Sequence, residues 1–163
     1  MYKEHLLQNI EREIVLLKRL ASMIEEKDLE FRTGEKLRST HELMVYLCYI
    51  GELAVYWSLN QDMTPDQRKA MRESNMNVTL SNFTERLDKQ WHNIQELFKN
   101  VTDAQLMTQQ AEMPWKEKMP LGSAIINSSI KFLTSYRMQL FNNLKLNGRP
   151  EISTKEAWVP NIS

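Results

Sequence analysis

Residues 132–140 read Phe132-Leu133-Thr134-Ser135-Tyr136-Arg137-Met138-Gln139-Leu140, near the end of a long apolar-patterned segment. Apolar residues recur there every three or four positions, which is the period of a helix with one face in a core. A phenol, a guanidinium and an amide (Tyr136, Arg137 and Gln139) interrupt a face that otherwise reads as buried. The segment extends over about 121–147 and stops at Asn147-Gly148, a C-terminal helix signal reinforced by Pro150.

Working outward, the stretch before this helix, Met113 to Pro120, is an extended excursion held between two prolines. Thr102-Asp103-Ala104-Gln105 has the form of a short helix start. Upstream, Leu80, Phe83, Leu87, Trp91, Ile94 and Phe98 form the stripe of a helix over about 78–99. A longer crossing precedes it, with a turn at Met63-Thr64-Pro65 and a polar helical stretch to about residue 75. A further helix opens at a capping box, Ser39 with Glu42, and runs through Leu43, Leu47, Ile50, Ala54 and Trp57. The first helix spans about 3–27 on Leu6, Ile10, Ile14, Leu17, Leu20 and Ile24. Four long amphipathic helices and no competing β alternation predict an all-α four-helix bundle over 1–148. An irregular tail, 149–163, carries Trp158 and is expected to dock on that bundle.

Bulk composition narrows the function. The 163 residues hold 21 basic and 21 acidic side chains, a balance that gives no electrostatic reason to expect nucleic acid or an anionic membrane as partner. The longest apolar runs are far too short to span a bilayer. The lone cysteine, Cys48, fits a reducing compartment, and the opening MYKEHLLQNIERE lacks the pattern of a secretory signal, so a cytoplasmic location is expected. Metal and nucleophile motifs fail where they are tested. The residues three before His5, His41 and His92 are Tyr2, Arg38 and Lys89, so no Glu-x-x-His pair of a di-iron bundle exists. His41-Glu42 begins a zinc-protease motif that ends in Val45 instead of a second histidine. The three histidines read as surface residues, and Cys48 as a small buried thiol.

Two stretches carry a family resemblance. Ser39-Thr40-His41-Glu42-Leu43 followed by Met44-Val45-Tyr46 is similar to the opening of the second helix in the DinB/YfiT-like superfamily of bacterial four-helix bundles, where a histidine stands at the position of Tyr46. The stretch Phe132 to Leu140 resembles that family's His-x-x-x-His-Arg-x-Gln pattern, with Arg137 and Gln139 kept and both histidines replaced. Pro114-Trp115 with Leu121-Gly122 resembles the lead-in to the last helix, with Lys116 where a glycine is usual. The resemblance implies an up-down-down-up bundle, often homodimeric, with a long crossing between its second and third helices. It also implies a pocket near one end, where family members often hold zinc or nickel and act on low-molecular-weight thiols.

Carried over, the metal-ligand positions become Tyr46, Phe132 and Tyr136, with Arg137 and Gln139 as polar anchors beside them. Phenylalanine offers no lone pair, and a neutral phenol with a pKa near about 10 is a poor zinc or nickel ligand. The expectation is a metal-free, non-catalytic protein that needs no cofactor, in which the three aromatics either fill the space a metal would occupy or line a pocket for a small molecule. Two alternatives stay open: a thiol S-transferase with a non-standard ligand set, and a purely structural homodimer.

Overall fold

The computed structural model describes residues 1–60 and 63–160. Four arms enclose one core, in the up-down-down-up order. The first arm is α1 (Tyr2–Ala21); the second is α2 (Thr40–Leu47) with α3 (Ile50–Asn60). After α4 (Pro65–Glu73) in the crossing comes the third arm, α5 (Phe83–Phe98). A short α6 (Asp103–Thr108) and an antiparallel ribbon of β1 (Gln110–Glu112) and β2 (Lys118–Pro120) lead into the fourth arm. That arm is α7 (Leu121–Ile125), a π-helical turn at Ile126–Ile130, and α8 (Lys131–Leu146). The first and second arms each pack against both α5 and the fourth arm. The last described element is α9 (Thr154–Trp158), so the segment after Gly148 is not wholly irregular. The tail's end, 161–163, lies outside the described residues.

The apolar stripes form the core. Leu6, Ile10, Ile14, Leu17 and Leu20 of α1 meet Leu43, Leu47 and Ile50, then Phe83, Leu87, Ile94 and Phe98, then Leu133, Leu140 and Leu144. Where the elements are shorter than the stripes, a polar side chain takes over a backbone group. α1 ends at Ala21, not near 27, because the buried Asp28 carboxylate accepts from the Glu25 backbone N–H at 2.9 Å and sets a separate 3₁₀ turn. Arg149 at 2.7 Å and Asn147 at 2.8 Å fix Asp28 in turn.

The second arm breaks at Cys48-Tyr49, and Gln90 of α5 mends the break. Its Oε1 accepts from Gly51 N–H at 2.8 Å and Glu52 N–H at 3.2 Å, while its Nε2 donates to the Leu47 carbonyl at 2.8 Å. Gly51 has to be side-chain-free here, since a Cβ would stand 2.9 Å from Leu133 and 3.0 Å from the Gln90 oxygen. Ser129, in the π turn, donates to the Gly51 carbonyl at 3.0 Å. The extended excursion before the last arm is the ribbon turn, closed by Met113 N–H to the Glu117 carbonyl at 2.7 Å. Lys116 sits in that turn at φ 72°, a conformation that favours glycine.

Candidate functional site

A concavity of about 650 Å³ opens between the loop 32–38, α2, the end of α4 and α8. It is an open cleft of the size that small ligands use. Its floor is aromatic. Tyr46 of α2 and Tyr136 of α8 meet edge to face with centroids 4.7 Å apart, and Tyr49 adds a second edge contact to Tyr46 at 5.4 Å. Over these rings lies a cation: the Arg38 guanidinium carbon is 4.1 Å from the Tyr46 centroid and 5.2 Å from that of Tyr136. Each such contact is worth about 0.5–2 kcal/mol, so the cluster holds its own shape.

Local sequence explains the placement. The Ser39–Glu42 capping box forms as expected, with Ser39 Oγ accepting from Glu42 N–H at 3.2 Å and Glu42 Oε2 from Ser39 N–H at 2.7 Å. It fixes the residue before the cap, Arg38, at the edge of the cleft. Behind the loop, buried Asn143 donates from its amide nitrogen toward the carbonyls of Phe31 and Arg38 at 3.3 and 3.4 Å. His41 is half-buried, not a surface residue: its Nε2 donates to the Val78 carbonyl at 3.1 Å, tying α2 to the end of the crossing. The crossing then delivers Arg72 and Met76 to the opposite wall.

Of the residues singled out from sequence, Tyr46, Tyr136 and Gln139 line this cleft together. Phe132 does not join them. One turn earlier on α8, it walls a separate apolar notch of about 100 Å³ with Trp57, Met113 and Trp115. Arg137 is not an anchor of the cleft either. Successive helix residues point about 100° apart, so if Tyr136 and Gln139 face one side, Arg137 cannot. It is 0% exposed and pairs instead with Glu13 of α1, Nε to Oε2 at 2.8 Å. It also donates to the Ala157 carbonyl and lies 4.9 Å from the Trp158 ring.

Sequence reading missed Arg38, Tyr49 and Arg72. Tyr49 had a signal, because three residues after Tyr46 is the same helix face. Arg72 had none, since it arrives through a crossing of irregular geometry.

Burial favours the neutral form of two of the phenols, Tyr46 and Tyr49. Burial, with Tyr136 beside it, pushes the Tyr46 hydroxyl well above the ordinary phenol range, and Arg38 opposes this without cancelling it. Burial also raises Tyr49, against Arg72 and Arg38, so both cations act on the same hydroxyl. Zinc or nickel does not fit such a set. The carried-over positions supply only two phenol hydroxyls, since Phe132 has no lone pair, and the Arg38 guanidinium over the Tyr46 and Tyr136 rings adds positive charge that a dication would have to meet. Among the described residues no three His, Cys, Asp or Glu side chains are grouped so as to hold an ion.

Comparison with solved structures concerns the architecture. The chain superposes with a TM-score of 0.70 on the crystal structure of a candidate DinB-family member from Exiguobacterium sibiricum, covering 93% of this chain and 95% of that one. The fold is DinB-like. Identity between the two is 20%, so the DinB-like likeness extends to the architecture and not to chemistry. No protein-family model and no curated protein matches the chain. No helix of the described residues is long and apolar enough to cross a membrane.

Proposed function

We propose that this DinB-like bundle is a metal-independent, non-catalytic small-molecule binder whose ligand sits in the cleft over Tyr46 and Tyr136. The observation that carries the reading is the Arg38–Tyr46–Tyr136 cluster. Two of the three positions where the family holds ligands are phenols under a guanidinium, and they line an open cleft. The cluster supplies what a binding site needs: a rigid aromatic floor, fixed polar donors and an entrance. Arg38, Tyr46 and Tyr136 include no imidazole, thiol or carboxylate of the kind that would hold a metal to activate water or a thiol, which counts against the thiol-transferase alternative.

The test is a fragment screen by ligand-observed NMR on the full chain, with hits mapped through the ring protons of Tyr46 and Tyr136. Hits that shift both rings, and lose affinity in Tyr136→Ala, support the reading. A screen in which no fragment perturbs either ring contradicts it. Homodimer formation and a cytoplasmic setting belong to the same proposal. Light scattering at micromolar concentration decides the first, a monomer counting against it.

A further inference from the structure

The charges around the cleft are not balanced. Four cationic side chains line it, Arg32, Lys36, Arg38 and Arg72, against the two carboxylates of Glu35 and Glu42. Glu42 is already committed, pairing with Arg32 at 3.4 Å and accepting from the Ser39 backbone at 2.7 Å. Among the described residues neither Arg38 nor Arg72 has a carboxylate partner, whereas Arg137, Arg149 and Arg19 all do. Arg38 is the unusual member of the group. It is half-buried, its guanidinium carbon lies over two aromatic rings, and no described carbonyl or carboxylate receives its N–H donors. Leaving such donors unmet in a partly dry cleft is unfavourable, and a planar guanidinium fork matches the two oxygens of a carboxylate or phosphate. Arg72 and Arg38 act together on the Tyr49 hydroxyl, so the two cations converge on one region of the cleft. Tyr46 and Tyr136 add neutral O–H groups that can donate to the same oxygens.

We infer that the cleft binds a small organic anion, with Arg38 as the principal contact to its carboxylate or phosphate oxygens and Arg72 and the Tyr46 and Tyr136 hydroxyls as secondary contacts. This rests on the pocket reading above and narrows it to a charge class. The ligand carries its negative group at the Arg38 end, and its remaining part lies along the tyrosine floor. Binding is salt-sensitive, because Arg72 and Lys36 are exposed and act through solvent.

The experiment titrates the full chain at low salt with succinate, with inorganic pyrophosphate and with succinamide, the uncharged counterpart of succinate. The readouts are the Arg38 Nε–H and tyrosine ring signals. Saturable binding of at least one anion at about millimolar concentration or below is expected, with succinamide weaker by about tenfold or more. The stronger anion identifies the oxygen group. Arg38→Gln should weaken that anion about tenfold and Arg72→Gln about threefold, while Lys69→Gln, on the exposed face of α4, leaves it unchanged. Because Arg38 and Arg72 make no described ion pair, both variants are expected to fold, which the dispersion of their spectra verifies. Succinamide binding as tightly as succinate at the same rings overturns the charge assignment and leaves the pocket reading standing. An anion that binds Arg38→Gln as tightly as the parent chain also overturns it. Absence of binding by all three probes overturns the inference, and if the fragment screen is silent too, the pocket reading falls with it.

Discussion

Tyr136 and Arg137 are adjacent in the chain and belong to opposite regimes. Tyr136 faces an open cleft, where the nearby cation, Arg38, has rings beneath it and no described anion opposite it. Arg137 faces inward to a sealed pair with Glu13, capped by the Ala157 carbonyl and the Trp158 ring. Arg38 and Arg137 both lie over aromatic rings, yet Arg137 has its acid built in and Arg38 has none among the described residues. The sealed arginine joins α1, α8 and the tail. The open one is available for recognition.

The largest effect should come from breaking the sealed side. Arg137→Met leaves Glu13 as an unpaired charge in the interior and should cost about 3–5 kcal/mol in urea unfolding. The double replacement Arg137→Met with Glu13→Leu should recover most of that loss. Next is Gln90→Leu, which strands two N–H groups and a carbonyl at the α2–α3 break. It should cost about 2–4 kcal/mol by the same assay.

A smaller, pH-dependent effect is expected at Glu52, half-buried against α5. Burial raises its pKa above the usual carboxylate range, opposed by the hydrogen bond from Asn93 and by Lys89. The folded state therefore holds its proton more tightly than the unfolded state does. That contribution is complete below the unfolded pKa of about 4.3 and is lost as pH rises through the folded value. Glu52→Gln should flatten the fall in stability above that point, and an unchanged pH profile would place Glu52 elsewhere. The smallest effect is on the open side: Arg38→Gln should change unfolding free energy by no more than about 1 kcal/mol while weakening anion binding. A loss as large as that of Arg137→Met would erase the contrast.

Much of this was legible in the chain itself. Helical periodicity located all four arms, the capping box at Ser39 and the stop at Asn147-Gly148, because those signals are local. The likeness of Phe132 to Leu140 pointed to the right face of α8 for Tyr136 and Gln139. Three things were not legible, each for a physical reason. The break after Leu47 depends on Gln90, 43 residues away, to satisfy its backbone. The role of Arg137 depends on Glu13, 124 residues away, although helical phase alone separates it from Tyr136. The cleft's charge depends on Arg72, carried in by the crossing. Lys116 is an instructive case, since the glycine usual at its position is accounted for by its positive φ of 72°.

Tyr46 and Tyr136, two of the three carried-over ligand positions, form a cation-over-tyrosine site whose donors do not suit zinc or nickel. The most direct measurement is elemental analysis of tag-free protein incubated with excess zinc or nickel and then dialysed. Well under one ion per chain is expected, with the Tyr46 and Tyr136 ring signals unshifted by either metal. One tightly held ion per chain, lost together with shifts of those rings when Tyr46 and Tyr136 are both replaced by Phe, would contradict it.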